Sequence, residues 1–491
     1  MPHLKPIKVI SVVDEEPTVL QNREENQPLS PMARMFHEPE SNVYIVTMIG
    51  FKSKINPEVV KANLEHSLLK HHRFSSLQVV DEKIEGGLKW VPTKVNLDDH
   101  VIVPNLEPKL IDSPDKFVED YTSSLSQTGI KMSMPMWDLH LLNIKTSDAE
   151  SVAVLRVHHS LGDGTSLMSL LLACCRKVSD PNEVPTIPSV TKKIDSNGHS
   201  KGFWPYLLFK LWLFWNTLVD VVMFIATALM FVRDTKTPLK GELGNGCLPR
   251  RFVHRSVSLD DVKLVRNAMN TTINDVMLGV TQAGLSRYLN RKYGQLNIIN
   301  GLSERNNNLP NNIRLRATFF MNLRPSAGIQ ELANMLKKGS KAKWGNQIGY
   351  LIFPFTIALR DDPLDYLREA KAAMDRKKAS LEASFSYFLS KSFLKFGNKA
   401  ASFPSETTLW FSNVMGPQEE ISLYGYPIAY VAPSCCGQPN GLMIHVVSYA
   451  NKMTFVLSVD DGLIPDPHQL CDDLEESLHL IKNASLLKDI N

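Results

Sequence analysis

The chain has 491 residues, 43% of them hydrophobic and 21% charged, with a formal net charge of +3. That length exceeds what one core ordinarily organises and implies two domains of about two hundred residues each, with a segment between them. The small charge, with no arginine-rich stripe carrying interleaved aromatics, excludes a nucleic-acid footprint.

Six cysteines, the doublets Cys174-Cys175 and Cys435-Cys436 with single Cys247 and Cys471, match neither zinc spacing nor a secreted disulfide framework. They read as reduced thiols facing a cytosol. Residues 1–28 are polar and read as a flexible arm. The start at Met1-Pro2 has no apolar signal run, and Pro2 excludes N-myristoylation there, so any membrane contact is expected from within the chain.

A first domain is expected over 29–180, opening at Leu29-Ser-Pro-Met-Ala-Arg-Met-Phe36. Tyr44–Phe51 alternates like a strand, and Asn56-Pro57 starts an amphipathic helix carrying Val59, Val60, Leu64, Leu68 and Leu69. Its end, Lys70-His71-His72-Arg73-Phe74, reads as a basic helix terminus favoured by the dipole. Pro135-Met136-Trp137-Asp138 leads into a hairpin, where Trp137 reads on its own terms as core packing.

The hairpin's second strand, Val152-Ala-Val-Leu-Arg-Val-His158, runs into His159-Ser-Leu-Gly-Asp163-Gly164 and an apolar helix. Gly162 and Gly164 allow a tight turn, and Thr165 is a residue able to cap the helix. An imidazole titrates near neutral pH, so a histidine held at a strand end can take a proton from a hydroxyl or thiol without a metal. Adjacent histidines in a strand point to opposite faces and cannot share one ion, which argues against a metal site. Asp163, four residues beyond His159 and across a glycine, is placed to pin the loop by an ion pair rather than to form a catalytic dyad.

Residues 181–250 change character. Asp180–Pro188 and Lys192–Lys201 read as linker, and then 203–232 form an apolar run long enough, at about 1.5 Å per residue, to cross a bilayer. On a helical plot Asn216, Asp220 and Thr227 share one narrow face, with Lys210 and Thr217 at its margin. Three tryptophans, Trp204, Trp212 and Trp215, suit an interface, and basic residues flank both ends. A buried helix of a soluble fold and a single crossing are the competing readings. Two domains that build one site cannot lie on opposite sides of a membrane, which favours an in-plane or re-entrant anchor.

The second domain is expected over 251–491. Arg251–Ser258 reads as a strand, followed by a helix capped at Ser258. A long helix starts at Thr271-Thr-Ile-Asn274-Asp275, where capping and substrate contact explain the Asn-Asp pair equally well. Thr318-Phe-Phe-Met-Asn322-Leu-Arg324-Pro325 reads as a strand ending at a proline, with Arg324 on its own terms a surface residue. Ser412 and Asn413, in Trp410-Phe-Ser-Asn-Val-Met-Gly416-Pro417, line a channel or hold an edge. His445 lies in a hairpin turning at Ala450-Asn451 and reads as a core histidine. A final amphipathic helix runs from Pro467 to Leu487.

The motif His158-His159-x-x-x-Asp163-Gly164, joined by Pro135–Trp137, Asn274-Asp275, Asn322–Pro325 and Ser412–Pro417, resembles the wax ester synthase/diacylglycerol acyltransferase family. The likeness is to its plant branch, within the CoA-dependent acyltransferase superfamily. The resemblance implies two chloramphenicol-acetyltransferase-like α/β domains with mixed sheets covered by helices and an active-site tunnel at their interface. It makes His159 the general base, His158 a supporting residue, Gly164 part of the motif turn, Arg324 the ion-pair partner of Asp163, whose carboxylate a guanidinium fork suits, and Trp137, Asn274, Ser412 and Asn413 substrate contacts. It implies acyl transfer from a long-chain acyl-CoA to a fatty alcohol or to diacylglycerol at a membrane surface. The endoplasmic reticulum is the expected membrane, with the plasma membrane as alternative, and both domains face the cytosol. Acyl-CoA is then a substrate, and neither metal nor redox cofactor is called for. Competing readings are an acyltransferase making a small ester and an inactive membrane-tethered lipid-binding protein.

Overall fold

A computed structural model describes residues 27–38, 41–82, 87–186, 203–240, 249–299, 306–324, 344–395 and 406–490. The expected arm, most of the linker, Cys247 and Pro325 lie outside the described residues.

The first layer is built on β1 (Tyr44–Phe51), nearly all of it buried because it is covered on both faces. A helix α1 (Pro31–Met35) precedes it, started by Pro31 with the Ser30 hydroxyl accepting from Ala33 N. After β1 come α2 (Pro57–His66), the hairpin β2 (Ser76–Asp81) and β3 (Gly87–Pro92), the short β4 (Val101–Ile102) and α3 (Pro114–Ser126). The motif hairpin follows as β5 (Trp137–Leu142) and β6 (Ser151–His158), then α4 (Gly164–Cys174) and β7 (Cys175–Lys177).

After α5 (Phe203–Ala228), the second layer begins with β8 (Arg250–Ser258), α6 (Leu259–Ala268), α7 (Ile273–Ile299), β9 (Arg314–Asn322) and β10 (Ile348–Thr356). It continues through α8 (Leu364–Lys378), α9 (Glu382–Lys395), β11 (Leu409–Val414), β12 (Ile421–Leu423), β13 (Tyr426–Cys436), the hairpin β14 (Leu442–Tyr449) and β15 (Lys452–Asp460), and α10 (Pro467–Ile490).

Two large mixed sheets result, one in the order β4-β5-β6-β1-β13-β12-β7 and the other β10-β9-β11-β14-β15-β8. Helices cover them, as the sequence led us to expect. One boundary differs. Residues 251–491 do not form a separate unit, because β13 leaves the second layer and pairs antiparallel along the whole of β1, from Tyr44 opposite Cys436 to Phe51 opposite Ile428. Periodicity within β13 says that it is a strand but not which sheet it joins. This crossover ties the two halves together and brings the end of β6 against the second sheet.

Two further expectations change. The helix after Asn56 ends at His66, with Leu68 already in a separate turn. The His71-His72 end is not a charged terminus: burial lowers His71 well below the ordinary imidazole value and His72 to about 4, helped by the neighbouring Arg73. His71 instead packs its ring 4.0 Å from that of Trp344. The described cysteines are free thiols, and all but Cys174 are buried.

Candidate active site

β6 pairs with β1 through His158 opposite Tyr44, and the strand then releases the chain into the motif loop. Because successive strand residues face opposite sides, the two histidines separate. His158 turns into the protein, where Nδ1 meets the Ser160 hydroxyl at 2.7 Å and Nε2 meets Phe36 O at 3.0 Å and Asn42 Oδ1 at 3.1 Å. Burial drives its pKa well below the ordinary value, so it is a neutral fixture of the fold. His159 turns into a cavity between the two sheets and stacks on Phe36 with ring centroids 4.0 Å apart. Its Nδ1 is enclosed without a hydrogen bond, which leaves Nε2 as the nitrogen open to the cavity.

Burial lowers the His159 pKa, against the opposing pull of its own backbone carbonyl, Asp163 and the Asn346 side chain. The ring is therefore an unprotonated acceptor at neutral pH.

Asp163 is the N-cap of α4, its Oδ1 accepting from Ser166 N at 2.9 Å, so the cap is the carboxylate and not Thr165. Oδ2 accepts from Arg324 Nη1 at 2.8 Å and from Gln347 N at 2.9 Å. The Arg324 guanidinium also donates to Gly345 O at 2.6 Å and to the Ser166 hydroxyl at 3.0 Å. Asp163 and Arg324, 161 residues apart in the chain, are thus an enclosed ion pair across the two layers. Neither Gly162 nor Gly164 adopts positive φ. Gly162 is instead a close-approach glycine, since a Cβ there would stand 3.3 Å from the Trp344 ring; around Gly164 such a Cβ would meet only Val414 at 3.7 Å.

A segment without a recognised motif closes the loop from the other side. Trp344 Nε1 donates to Leu161 O at 2.7 Å, and Asn346 Nδ2 donates to His159 O at 2.9 Å. Gly345, at φ +116°, supplies a left-handed bend that a side chain would strain and crowd against Arg73. Trp-Gly-Asn-Gln, bearing a glycine between two polar-capable residues just before a strand, was the available signal for this clasp.

The opposite wall of the cavity is the second sheet. Ser412 and His445 are register partners on the parallel strands β11 and β14, and both line the cavity together with Asn413 and Trp410. His445 is held neutral, its pKa lowered to about 3 by burial and by His159 nearby. It is a buried core residue as expected, yet it faces the same space as His159. Asn274 stands behind, accepting from Asn413 Nδ2 at 3.1 Å, while Asp275 caps its own helix through Thr271 and Thr272. Trp137 is fully buried, donating to Phe74 O at 2.9 Å; it borders a second, apolar cavity rather than the one holding His159.

Polar groups on both walls thus flank two uncharged imidazoles, His159 and His445, inside a largely apolar cavity, an arrangement able to deprotonate a hydroxyl and shelter a charged intermediate. Known proteins resemble this chain in sequence and in fold. A model of the wax ester synthase/diacylglycerol acyltransferase catalytic domain matches residues 53–277, and one of the WS/DGAT C-terminal domain matches residues 344–482. The chain is 50% identical over 482 residues to wax ester synthase/diacylglycerol acyltransferase 5 of Arabidopsis thaliana, covering 94% of each. Among solved structures it is similar to a wax ester synthase/diacylglycerol acyltransferase from Marinobacter aquaeolei VT8, with TM-score 0.58, 18% identity and coverage of 93% of this chain and 99% of that one. It is also similar to the TRI3 trichothecene 15-O-acetyltransferase from Fusarium sporotrichioides, with TM-score 0.56, 13% identity and coverage of 94% and 97%. At those identities the two structures speak to the fold.

Proposed function

This chain belongs to the wax ester synthase/diacylglycerol acyltransferase family, and from that premise we propose how its residues carry out acyl transfer from a long-chain acyl-CoA to a fatty alcohol or diacylglycerol. His159 Nε2 accepts the acceptor's hydroxyl proton as the oxygen attacks the thioester carbonyl. The C–O bond forms, and the carbonyl oxygen becomes an oxyanion facing Ser412 and the neutral imidazole of His445, the donors on the opposite wall. Collapse breaks the C–S bond, the thiolate takes the proton from His159, and CoA and an ester leave. Asp163, Arg324 and the Trp344–Gln347 clasp hold the loop that aims His159. His158 and Asn274 support their neighbours without meeting substrate. The apolar walls around His159 favour a long-chain ester over a small polar one, and the unprotonated, cavity-facing His159 favours catalysis over mere lipid binding.

Membrane association is part of the same reading. Among the described residues α5 is the one helix long and apolar enough, by length and composition, to cross a bilayer. Lys210 is exposed, but three others of its polar residues do not face outward. Asn216, Asp220 and Thr227 are buried against the second layer, while Trp204, Phe209, Trp212, Phe214 and Trp215 are exposed. Asp220 accepts from Arg376 at 2.6 Å and Lys377 at 2.8 Å, and Thr227 from Arg316 at 2.6 Å. Crossing a membrane would strip those groups of their partners, at several kcal/mol for the charge. An in-plane helix keeps them and places the aromatic face in lipid. The reading puts the protein on the cytosolic face of the endoplasmic reticulum, with acyl-CoA arriving from the cytosol and the acceptor from the bilayer.

The observation that carries the chemistry is His159 facing the inter-sheet cavity with its pKa lowered by burial. Purified protein given palmitoyl-CoA and hexadecanol, or palmitoyl-CoA and dioleoylglycerol in vesicles, should release CoA and form the corresponding ester. Ester formation only with short soluble alcohols would favour the small-ester reading, and binding without turnover the lipid-binding one. A fluorescent fusion imaged beside organelle markers tests the membrane; decoration of the plasma membrane would contradict the assignment to the endoplasmic reticulum.

A further inference from the structure

The second apolar cavity lies on the same face of the first sheet as the catalytic one. Alternation along β1 places Ile45, Thr47 and Ile49 in the wall of the catalytic cavity and Ile49 and Phe51 in that of the second. On β6, Val157 and Leu155 belong to the first, and Leu155 and Ala153 to the second. Four side chains, Ile49, Leu155, Leu167 and Leu171, border both spaces. The two therefore lie end to end as one trough along the sheet, roofed by α4 and partitioned by these four apolar side chains. From Ile45 to Phe51 the trough runs about 20 Å at about 3.3 Å per residue.

The far part is hydrocarbon in character although four of its wall residues carry polar atoms. Those atoms are engaged elsewhere: Trp137 Nε1 with Phe74 O, the Tyr424 hydroxyl with Ser67 at 2.7 Å, and the Tyr426 hydroxyl with Asn56 N at 3.1 Å. The Cys174 thiol, its pKa raised by burial, is neutral. The space thus offers nothing to a headgroup and, by the shape and character of its walls, suits an unbranched chain. The other flank of the catalytic cavity points elsewhere. Phe36, Ile348, Trp410 and Met443 belong to one buried cluster with Phe224, an inward apolar residue of α5, so that flank adjoins the helix read as membrane-facing.

We infer that the trough beneath α4 is the acyl-chain site, with the thioester carbonyl at His159 and the chain running past Leu155 and Leu167 toward Ala153 and Cys174, while the acceptor enters from the α5 flank. This rests on the acyl-transfer reading and adds to it the assignment of each substrate to its own side. The length of the trough then sets acyl selectivity, and Leu167 and Leu171 must turn aside for a long chain to pass.

Ala153→Phe and Cys174→Phe each fill the far cavity from a different element, so that misfolding of one leaves the other. For each, kcat/KM is measured over saturated acyl-CoAs from octanoyl to stearoyl with one alcohol, and then over alcohols of rising length with octanoyl-CoA. Calorimetry measures the Kd of palmitoyl-CoA and of CoA without a chain. Selectivity and palmitoyl-CoA affinity should fall by about ten-fold for every two methylenes denied the cavity, with octanoyl-CoA use falling least and with CoA affinity and the alcohol profile as in the parent. An unchanged acyl profile and Kd in both folded variants overturns the assignment, as does a shifted alcohol profile beside an unshifted acyl one. If the parent itself forms no ester, the acyl-transfer reading fails instead, and the Kd comparison still decides whether the trough takes the chain.

Discussion

Two buried carboxylates, Asp163 and Asp220, each 1% exposed, show one device put to two uses. Asp163 pairs with Arg324 and accepts two backbone N–H groups, so the loop, α4 and the second layer meet at one point. Asp220 pairs with Arg376 and Lys377, and Lys377 extends the network to Glu382 at 2.7 Å, whose other oxygen accepts from Ile352 N. The first network fixes the loop that carries His159 inside the protein. The second fixes a helix whose opposite face is left apolar and outward. A buried charge in either place says only that something is being held; what surrounds the held element says why.

Removing the first network should have the larger effect. Breaking a buried ion pair by deleting one partner costs about 3–5 kcal/mol, so Asp163→Asn and Arg324→Ala should each lower the melting temperature and turnover together. The double variant should be little worse than the poorer single one, because the residues act as a unit. Differential scanning calorimetry beside the ester assay checks this. If Asp163→Asn kept its stability and lost only turnover, the carboxylate would act in the chemistry and the comparison with Asp220 would break.

Asp220→Ala should destabilise by a similar mechanism but act on location rather than on the reacting group. With soluble short-chain substrates its kcat should stay within a few-fold of the parent, while vesicle binding weakens as α5 loses its fixed orientation. The smallest structural effect should come from Trp212→Ser with Trp215→Ser on the exposed face. Their melting temperature should match the parent, and co-sedimentation with vesicles should drop. Retained vesicle binding would mean that α5 does not carry the membrane contact and would remove the second half of the comparison.

How much of this was legible beforehand follows from which interactions are local. The strand-loop-helix unit around His159 is coded by neighbouring residues, and so were the divergence of the two histidines and the polar stripe of Asn216, Asp220 and Thr227, which one helical plot displays. The pairing of Asp163 with Arg324 was an expectation drawn from a family likeness, since nothing in spacing alone joins residues 161 positions apart. The passage of β13 into the first sheet was not legible, because a strand's partners lie outside its own pattern. The Trp344–Gln347 clasp was missed for a related reason: two of its contacts, with His159 O and Leu161 O, are with backbone groups of the motif loop, and backbone acceptors leave no mark in a sequence. His71 and His72 were misread as charged, because burial, which decides their protonation, is a tertiary property.

The claim on which the rest depends is that His159, and not His158, takes the proton. The direct measurement is kcat/KM against pH for the parent, His159→Gln and His158→Gln at a temperature where all three are folded. The parent should lose activity on acidification only below the ordinary imidazole value of about 6.5, since burial lowers the His159 pKa and protonation removes the base. His159→Gln should fall by about 10² to 10⁴ and lose that limb, with His158→Gln retaining it at reduced rate. A His159→Gln protein that turned over within a few-fold of the parent, with the same acid limb, would contradict the account.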